Sequence, residues 1–307
     1  MSADLELVAK RAESWSETAN QLKARLDLVR WIVFALSIAG ALAAAIASQI
    51  LPEAGGATSA LPRSHTVFAT FGAVLLAGAT FLSSRLLRDT EVQAWARARA
   101  AAEALKREAF RSATKAQPYD TSTADELLKK EREKIEGQLT DLRDRQVEAV
   151  REGSAPREAL NPEQYRERRV RPQMDWYKSK AHGYRKVATR LRWTEFTLAL
   201  AATIITALAG ALGKKFEIGP MAFDFAALTA VLTTVSGAIV AHIEASRYQH
   251  LVTSYLAAAA RLEDLDTDFD AARTNAGTWS EFVNGCEEVI AAENNSWVAK
   301  WTKATTT

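Results

Sequence analysis

Residues 193–212 read WTEFTLALAATIITALAGAL, and after Glu195 no charged side chain appears until Lys214. A helix needs about 20 apolar residues to cross a hydrocarbon core of about 30 Å, and this run has that length. The alternative is an Ala-rich helix buried in a soluble bundle. Three further uncharged runs, at residues 32–51, 66–84 and 225–241, weigh against it. Short loops join the runs in pairs, marked by Pro52, Gly55, Gly56 and Pro62 in the first and by Gly213, Gly219 and Pro220 in the second. The fold expected is therefore all-α: a membrane protein with two tandem two-helix transmembrane hairpins, each flanked by long cytoplasmic helices.

Composition agrees with helix throughout. The 307 residues include 7 Pro and 14 Gly. Mean hydropathy is only -0.14, because nearly charge-free runs are averaged with strongly charged flanks. The net charge of +2 argues against nucleic acid as a partner. Cys286 has no second cysteine, so no internal disulfide can form. The N-terminal residues MSADLELVAKRAESW mix both signs of charge and do not read as a signal or transit peptide.

The flanks carry apolar residues at helical spacing. Leu7, Leu22, Leu26 and Val29 lead into the first run. The second run, closed by Arg85 and Arg88, continues as helix to Arg111. Pro118-Tyr119-Asp120 breaks that helix. Ser122 to Asp125 has the form of a capping box opening a charged helix with Leu127, Ile135, Leu139, Leu142 and Val150 on one side. Asn161-Pro162 opens another helix, with Asn as N-cap, and it runs into residues 193–212. Beyond the fourth run a helix continues through Glu244 and Arg247 to about Asp266. Thr278 to Glu281 suggests a second capping box before a terminal amphipathic helix with Phe282, Val289, Ile290, Trp297, Val298 and Trp301. The expected organisation is a first unit over residues 1–115 and a cytoplasmic helical linker over 116–160. A second unit follows over 161–307.

The halves repeat. Arg30, Trp31, Phe34 and Leu36 match Arg192, Trp193, Phe196 and Leu198 at a constant offset, and Ser84-Arg85 matches Ser246-Arg247 at the same one. A duplicated hairpin is the economical reading. Charge sets orientation. The long flanks carry Arg11, Lys23, Arg25, Arg30, Arg85, Arg88 and the basic stretch 178–192, whereas the two short loops carry only Arg63, Lys214 and Lys215. Because positive residues stay on the cytoplasmic side, a multi-pass protein of the inner (plasma) membrane with both termini cytoplasmic is expected.

No catalytic set is visible. His65, His182, His242 and His250 lack metal-ligand spacing, and no Gly-rich phosphate loop occurs. No enzyme activity, cofactor or metal is expected. Small and hydroxyl residues recur at four-residue spacing within the spans: Gly40, Ala44 and Ser48; Thr206 and Gly210; Thr229, Thr233 and Gly237. Such faces either pack helices closely or line a water-filled path. Glu195 and Asp224, near opposite ends of the second hairpin, are candidate vestibule charges, and solvated edge residues are the alternative.

Residues 165–181, YRERRVRPQMDWYKSKA, resemble the opening helix of the SLATT family, bacterial two-transmembrane domains associated with SMODS nucleotidyltransferases and SLOG proteins. Trp279, Phe282, Glu287, Glu288, Ile290, Glu293 and Trp297 resemble its closing segment. Residues 95–110 with Pro118-Tyr119-Asp120 resemble the exit of a related SLATT type. The resemblance implies a tandem SLATT protein: a pore-forming or membrane-perturbing effector of a bacterial conflict or defence system, gated by its cytoplasmic helices. The partners it implies are the lipid bilayer, further copies of the chain, and a nucleotide-signal-producing or sensor protein in the cytoplasm. The other reading is a non-conducting membrane scaffold with a cytoplasmic docking surface.

Overall fold

Helix α1 (Ala3–Gln49) runs unbroken from the charged N-terminal flank into the first apolar run. The computed structural model describes residues 3–49, 63–149, 152–212, 215–218 and 221–302. The turn residues Pro52 to Pro62, Val150, Gly213, Lys214, Gly219 and Pro220 lie outside these, as do the side chains of Ser48, Arg63, Trp297, Val298 and Trp301. After α1 come α2 (Arg63–Leu86), α3 (Asp89–Ala113), α4 (Ala124–Gly137) and a 3₁₀ turn (Thr140–Arg145). Then follow α5 (Pro162–Tyr165), a π-helical turn (Arg166–Val170) and α6 (Arg171–Leu212). The chain ends with β1 (Lys215–Ile218), β2 (Met221–Asp224), α7 (Phe225–Ser246), α8 (Tyr248–Thr267), α9 (Phe269–Ala272) and α10 (Ala276–Thr302). Among the described residues, four helices are long and apolar enough to cross a membrane. The protein is an all-α membrane protein. β1 and β2 form one small antiparallel hairpin, with Lys215 opposite Asp224, where the sequence suggested only a loop.

Two compact units form, and each draws on both repeats. One comprises residues 1–26, 89–183 and 250–307; the other comprises 27–88 and 184–249. In the first, polar unit, α3 is rich in alanine. Ala94, Ala98, Ala101, Ala102 and Ala109 are buried beside Trp95, Leu105 and Phe110. Small side chains let α10 approach, and it contributes Trp279, Phe282, Val283, Cys286 and Ile290 to the same core. The N-terminal part of α1 adds Leu5, Val8, Ala12 and Trp15, and α8 adds Tyr255, Ala259 and Leu262. A segment after the 3₁₀ turn is strapped to α1. Ser14 Oγ donates to Val147 O at 2.7 Å, and Val147 N donates to Thr18 Oγ1 at 3.0 Å. Glu13 accepts from Gly153 N and from Arg157, each at 2.8 Å.

The helix ends correct several sequence expectations. Asn161 is an N-cap with a full capping box, its side chain and that of Gln164 answering each other's backbone N–H groups. Ser122 does not cap α4, which starts after Thr123 without a side-chain cap and stops at Gly137 rather than continuing towards residue 150. Leu128, not Leu127, is its fully buried residue. The last helix starts at Ala276, ahead of Thr278, because Asn275 Oδ1 takes the N–H groups of Gly277 and Thr278 at 3.0 and 2.9 Å. The helices after the second and fourth spans are not continuous with them. α2 gives way to α3 at Leu87 and Arg88, and Arg247, left-handed at φ 49°, separates α7 from α8.

In the apolar unit the duplication is visible in the side chains. Trp31 and Phe34 meet edge to face at 5.6 Å, and their counterparts Trp193 and Phe196 do so at 5.9 Å. α1 and α2 cross closely at glycine. A Cβ on Gly72 would stand 3.0 Å from Gly40 O and 3.1 Å from Ala44 N. α1 meets α7 where Trp31 and Phe34 surround His242, with ring centroids 5.0 and 4.8 Å away.

Candidate functional site

Two places gather chemistry, one in each unit. In the apolar unit, α6 and α7 enclose an open groove of about 910 Å³ lined by Ala199, Ala202, Thr203, Thr206, Ala207, Thr229, Thr233, Ser236, Gly237, Val240 and Ala241. Spacings of three and four residues put these on one face of each helix. Thr206, Thr229, Thr233 and Gly237, singled out from sequence, are thus brought together, with the hydroxyls of Thr206 and Thr229 3.4 Å apart. Thr203, Thr206 and Thr233 each donate to the carbonyl one turn back, Ala199 O, Ala202 O and Thr229 O, at 2.8–2.9 Å. Back-bonding of this kind lets a hydroxyl face lipid without a stranded donor.

The other candidates lie elsewhere. Gly210 is exposed and a Cβ there would meet nothing within 4 Å. Gly40 is buried at the α1–α2 crossing and Ala44 sits beside it, exposed, so that stripe packs one helix on the next. Glu195 is half-buried. Asp224 is the N-cap of α7, its Oδ1 accepting from Ala226 N and Ala227 N at 2.9 and 3.2 Å. Away from the groove, α6 presents Phe196, Leu200, Ile204 and Leu208, and α2 presents Val67, Phe71, Val74 and Phe81, all exposed. Exposed ridges of large apolar side chains on this scale mark a surface meant for lipid or for another chain.

The polar unit holds a cavity of about 330 Å³ between α1, α3, α6 and α10. The Trp95, Arg99, Ala102, Glu103 and Lys106 side chains come from one face of α3. Lys23 comes from α1, Arg168, Arg169, Trp176 and Tyr177 from the π turn and α6, and Ile290 and Glu293 from α10. Beside it lies the buried centre of the unit. Arg169 makes a two-pronged ion pair with Glu287, Nε to Oε1 at 2.9 Å and Nη2 to Oε2 at 2.8 Å, and Tyr165 donates to the same carboxylate at 3.1 Å. Both charged partners are buried, and Arg169 also lies over the Phe110 ring at 4.8 Å. Tyr165 and Arg169, four positions apart and so on one side of the helix, reach this acceptor across the π turn. Such one-turn widenings are frequent where a helix carries a function.

Within the cavity, Lys106 Nζ reaches Glu103 at 3.5 Å and Arg169 Nη1 reaches it at 3.8 Å. Arg99 stands 5.9 Å from the Trp176 ring. Glu293 is 6% exposed, and its Oε1 has no hydrogen-bond partner among the described residues. Burial pushes its carboxyl up to about 7; the charge of Glu103 adds to the rise, while Arg99 and the Tyr177 hydroxyl oppose it. Burial likewise raises the Cys286 thiol, with Glu287 and Asp266 adding, so Cys286 is an inert core residue. Sequence reasoning did not assemble this cavity. Its trace was Trp95, Arg99 and Glu103 at four-residue spacing, two charges on the apolar face of α3.

Comparison with protein families supports a common origin for the two halves. Residues 165–297 match the SMODS and SLOG-associating 2TM effector domain 1 (SLATT_1). Residues 13–126 match a protein of unknown function (DUF4231), which belongs to the same SLATT type. No curated protein and no solved structure matches the chain.

Proposed function

We propose that this chain, which belongs to the SLATT family as a tandem pair of two-transmembrane domains, is an oligomeric, non-enzymatic membrane effector of a bacterial conflict or defence system that opens a path through the bilayer. The observation that carries the proposal is the α6–α7 groove. Its hydroxyls lie on one face of the pair, whereas the large apolar side chains of α6 lie on another. One chain supplies four spans, which we take to be too few to surround a water path on its own. Copies arranged with these grooves inward would surround a hydroxyl-lined centre, with the apolar ridges facing lipid. The charge bias of the flanks supports a topology in which the polar unit and both termini face the cytoplasm across the inner membrane. Signals from that side would bias the spans through the helices that α1 and α6 extend into them.

The test is release of a trapped dye from liposomes holding the purified protein, with and without Thr233→Trp. Thr233 faces the groove, so an indole there blocks the path while leaving insertion intact. Release by the parent that the variant abolishes supports the proposal. Undiminished release by the variant refutes the assignment of the path to this groove, and an absence of release across oligomeric states refutes conduction. The back-bonded hydroxyls favour a second reading. Because they need no water, a non-conducting scaffold with the polar unit as docking surface accounts for the same groove, and it requires silence in this assay.

A further inference from the structure

Just ahead of its apolar run, α6 carries cations that find no answering group among the described residues. The sequence between Asp175 and Glu195 holds no acidic residue and six basic ones. Lys178 pairs with Glu263 at 2.9 Å, Arg192 donates to Gln249 Oε1 at 2.7 Å, and Lys180 lies over the Trp176 ring at 5.9 Å. The other three, Arg185, Lys186 and Arg190, are exposed and make no hydrogen bond or ion pair among the described residues. Lys186, Arg190, Trp193, Leu200 and Ile204 follow one another at intervals of four, three, seven and four residues. That spacing sets them on one side of the helix, with Arg185 at its edge. Trp193 is 63% exposed, and Leu200 and Ile204 are exposed beyond it. The result is an open strip that changes from cationic to aromatic to aliphatic in one direction. The first repeat serves as an internal comparison. There Ala24 and Leu28 stand in the places of Lys186 and Arg190, and His242 lies against the Trp31–Phe34 pair. The Trp193–Phe196 pair has no third ring against it among the described residues.

We propose that this strip holds a phospholipid of net negative charge: its phosphate at Lys186 and Arg190 with Arg185 beside them, its glycerol esters at the Trp193 indole, and an acyl chain along Leu200 and Ile204. The order of groups along the helix is the order of groups in one lipid molecule. The dimensions agree as well. At about 1.5 Å per residue, Trp193 to Ile204 spans about 16 Å, the depth of one leaflet of a hydrocarbon core about 30 Å thick. Indole rings settle at the headgroup boundary, where the N–H can reach an ester carbonyl. Net negative charge is required because a strip without acidic residues offers nothing to the ammonium of a zwitterionic headgroup. A free anion, for its part, would leave the aliphatic end uncovered. The inference rests on the chain spanning a membrane and not on its opening a path, and it concerns residues of the apolar unit alone.

The experiment places the full-length protein in phosphatidylcholine nanodiscs with a small, increasing fraction of a lipid whose acyl chains are brominated, so that it quenches tryptophan on contact. The readout is the part of the quenching that Trp193→Phe removes. Brominated phosphatidylglycerol is expected to reach half-maximal quenching at a fraction about tenfold or more below that for brominated phosphatidylcholine. Lys186→Gln and Arg190→Gln should each cut this preference about two- to fivefold. Arg88→Gln removes the same charge just past the end of α2 and should leave it unchanged. Each variant keeps the other flanking cations and with them the insertion bias. Glycerophosphoglycerol, the same headgroup without chains, should not displace the lipid. Equal quenching by the two lipids, an equal loss in Arg88→Gln, or displacement by the free headgroup each overturns the proposal.

Discussion

Replacing Glu293 with Gln should stabilise the protein, and only above a definite pH. The carboxyl is 6% exposed, and burial with the added charge of Glu103 holds it at about 7 against an ordinary 4.5; Arg99 and Tyr177 only partly offset this. A folded-state value raised for an acid means that the unfolded chain gives up its proton first. Below pH 4.5 both states hold the proton and no penalty exists. Between 4.5 and 7 the folded state loses stability as pH rises, and above 7 the full penalty is in place. That difference corresponds to about 3 kcal/mol, since each unit is worth about 1.4 kcal/mol. Gln carries no charge and fills the same space, so it escapes the penalty. At roughly 2 °C per kcal/mol for a chain of this size, Glu293→Gln should raise the midpoint of thermal unfolding by about 6 °C at pH 8 and leave it unchanged at pH 4.5. The assay is intrinsic fluorescence of the detergent-solubilised protein across that range, parent and variant side by side, so that other titrating groups cancel. An equal shift at both pH values would show a packing effect instead, and no gain at pH 8 would refute the reasoning about burial.

Two further outcomes follow from contacts already described. Gly72→Leu places carbon against Gly40 O and Ala44 N, backbone atoms that cannot move aside, so it should part α1 from α2 and cost about 1–3 kcal/mol. Gly78→Leu, with open space around it, should cost nothing measurable, and thermal unfolding in detergent compares the two. Arg169→Met leaves the Glu287 carboxylate buried beside Tyr165 alone and should lose about 3–5 kcal/mol. The double variant Arg169→Met/Glu287→Met should recover most of that, because no charge is left uncompensated. A double variant no better than the single one would show that the pair contributes more than the absence of its penalty.

The spans were legible because lipid enforces a simple rule, about 20 residues without charge, that needs no knowledge of neighbours. The repeat was legible for a related reason: Trp31/Phe34 and Trp193/Phe196 are local pairs, and local geometry repeats when local sequence does. The Asn161 cap could likewise be read from four residues. What depends on distant partners was not legible. Gly72 resembles any other glycine until α1 lies against it. Arg169 and Glu287 are 118 positions apart, and nothing in either segment names the other. The two misplaced capping boxes show the same limit at short range. At Thr278 a better competitor, Asn275, stood three residues earlier and took the amides first. The groove of α6 and α7 was half legible: spacing put its threonines on common faces, but not the two faces opposite each other.

Thr203, Thr206 and Thr233 of that groove carry their hydrogen bonds with them, each tied to its own helix. Whatever fills the space next to them, be it an acyl chain, a neighbouring helix or solvent, finds these three donors already engaged. Selection on this face should therefore act on bulk and hardly at all on polarity. Exchanges among Ala, Ser and Thr ought to drift freely between descendants of this gene, while Leu or Phe should be purged.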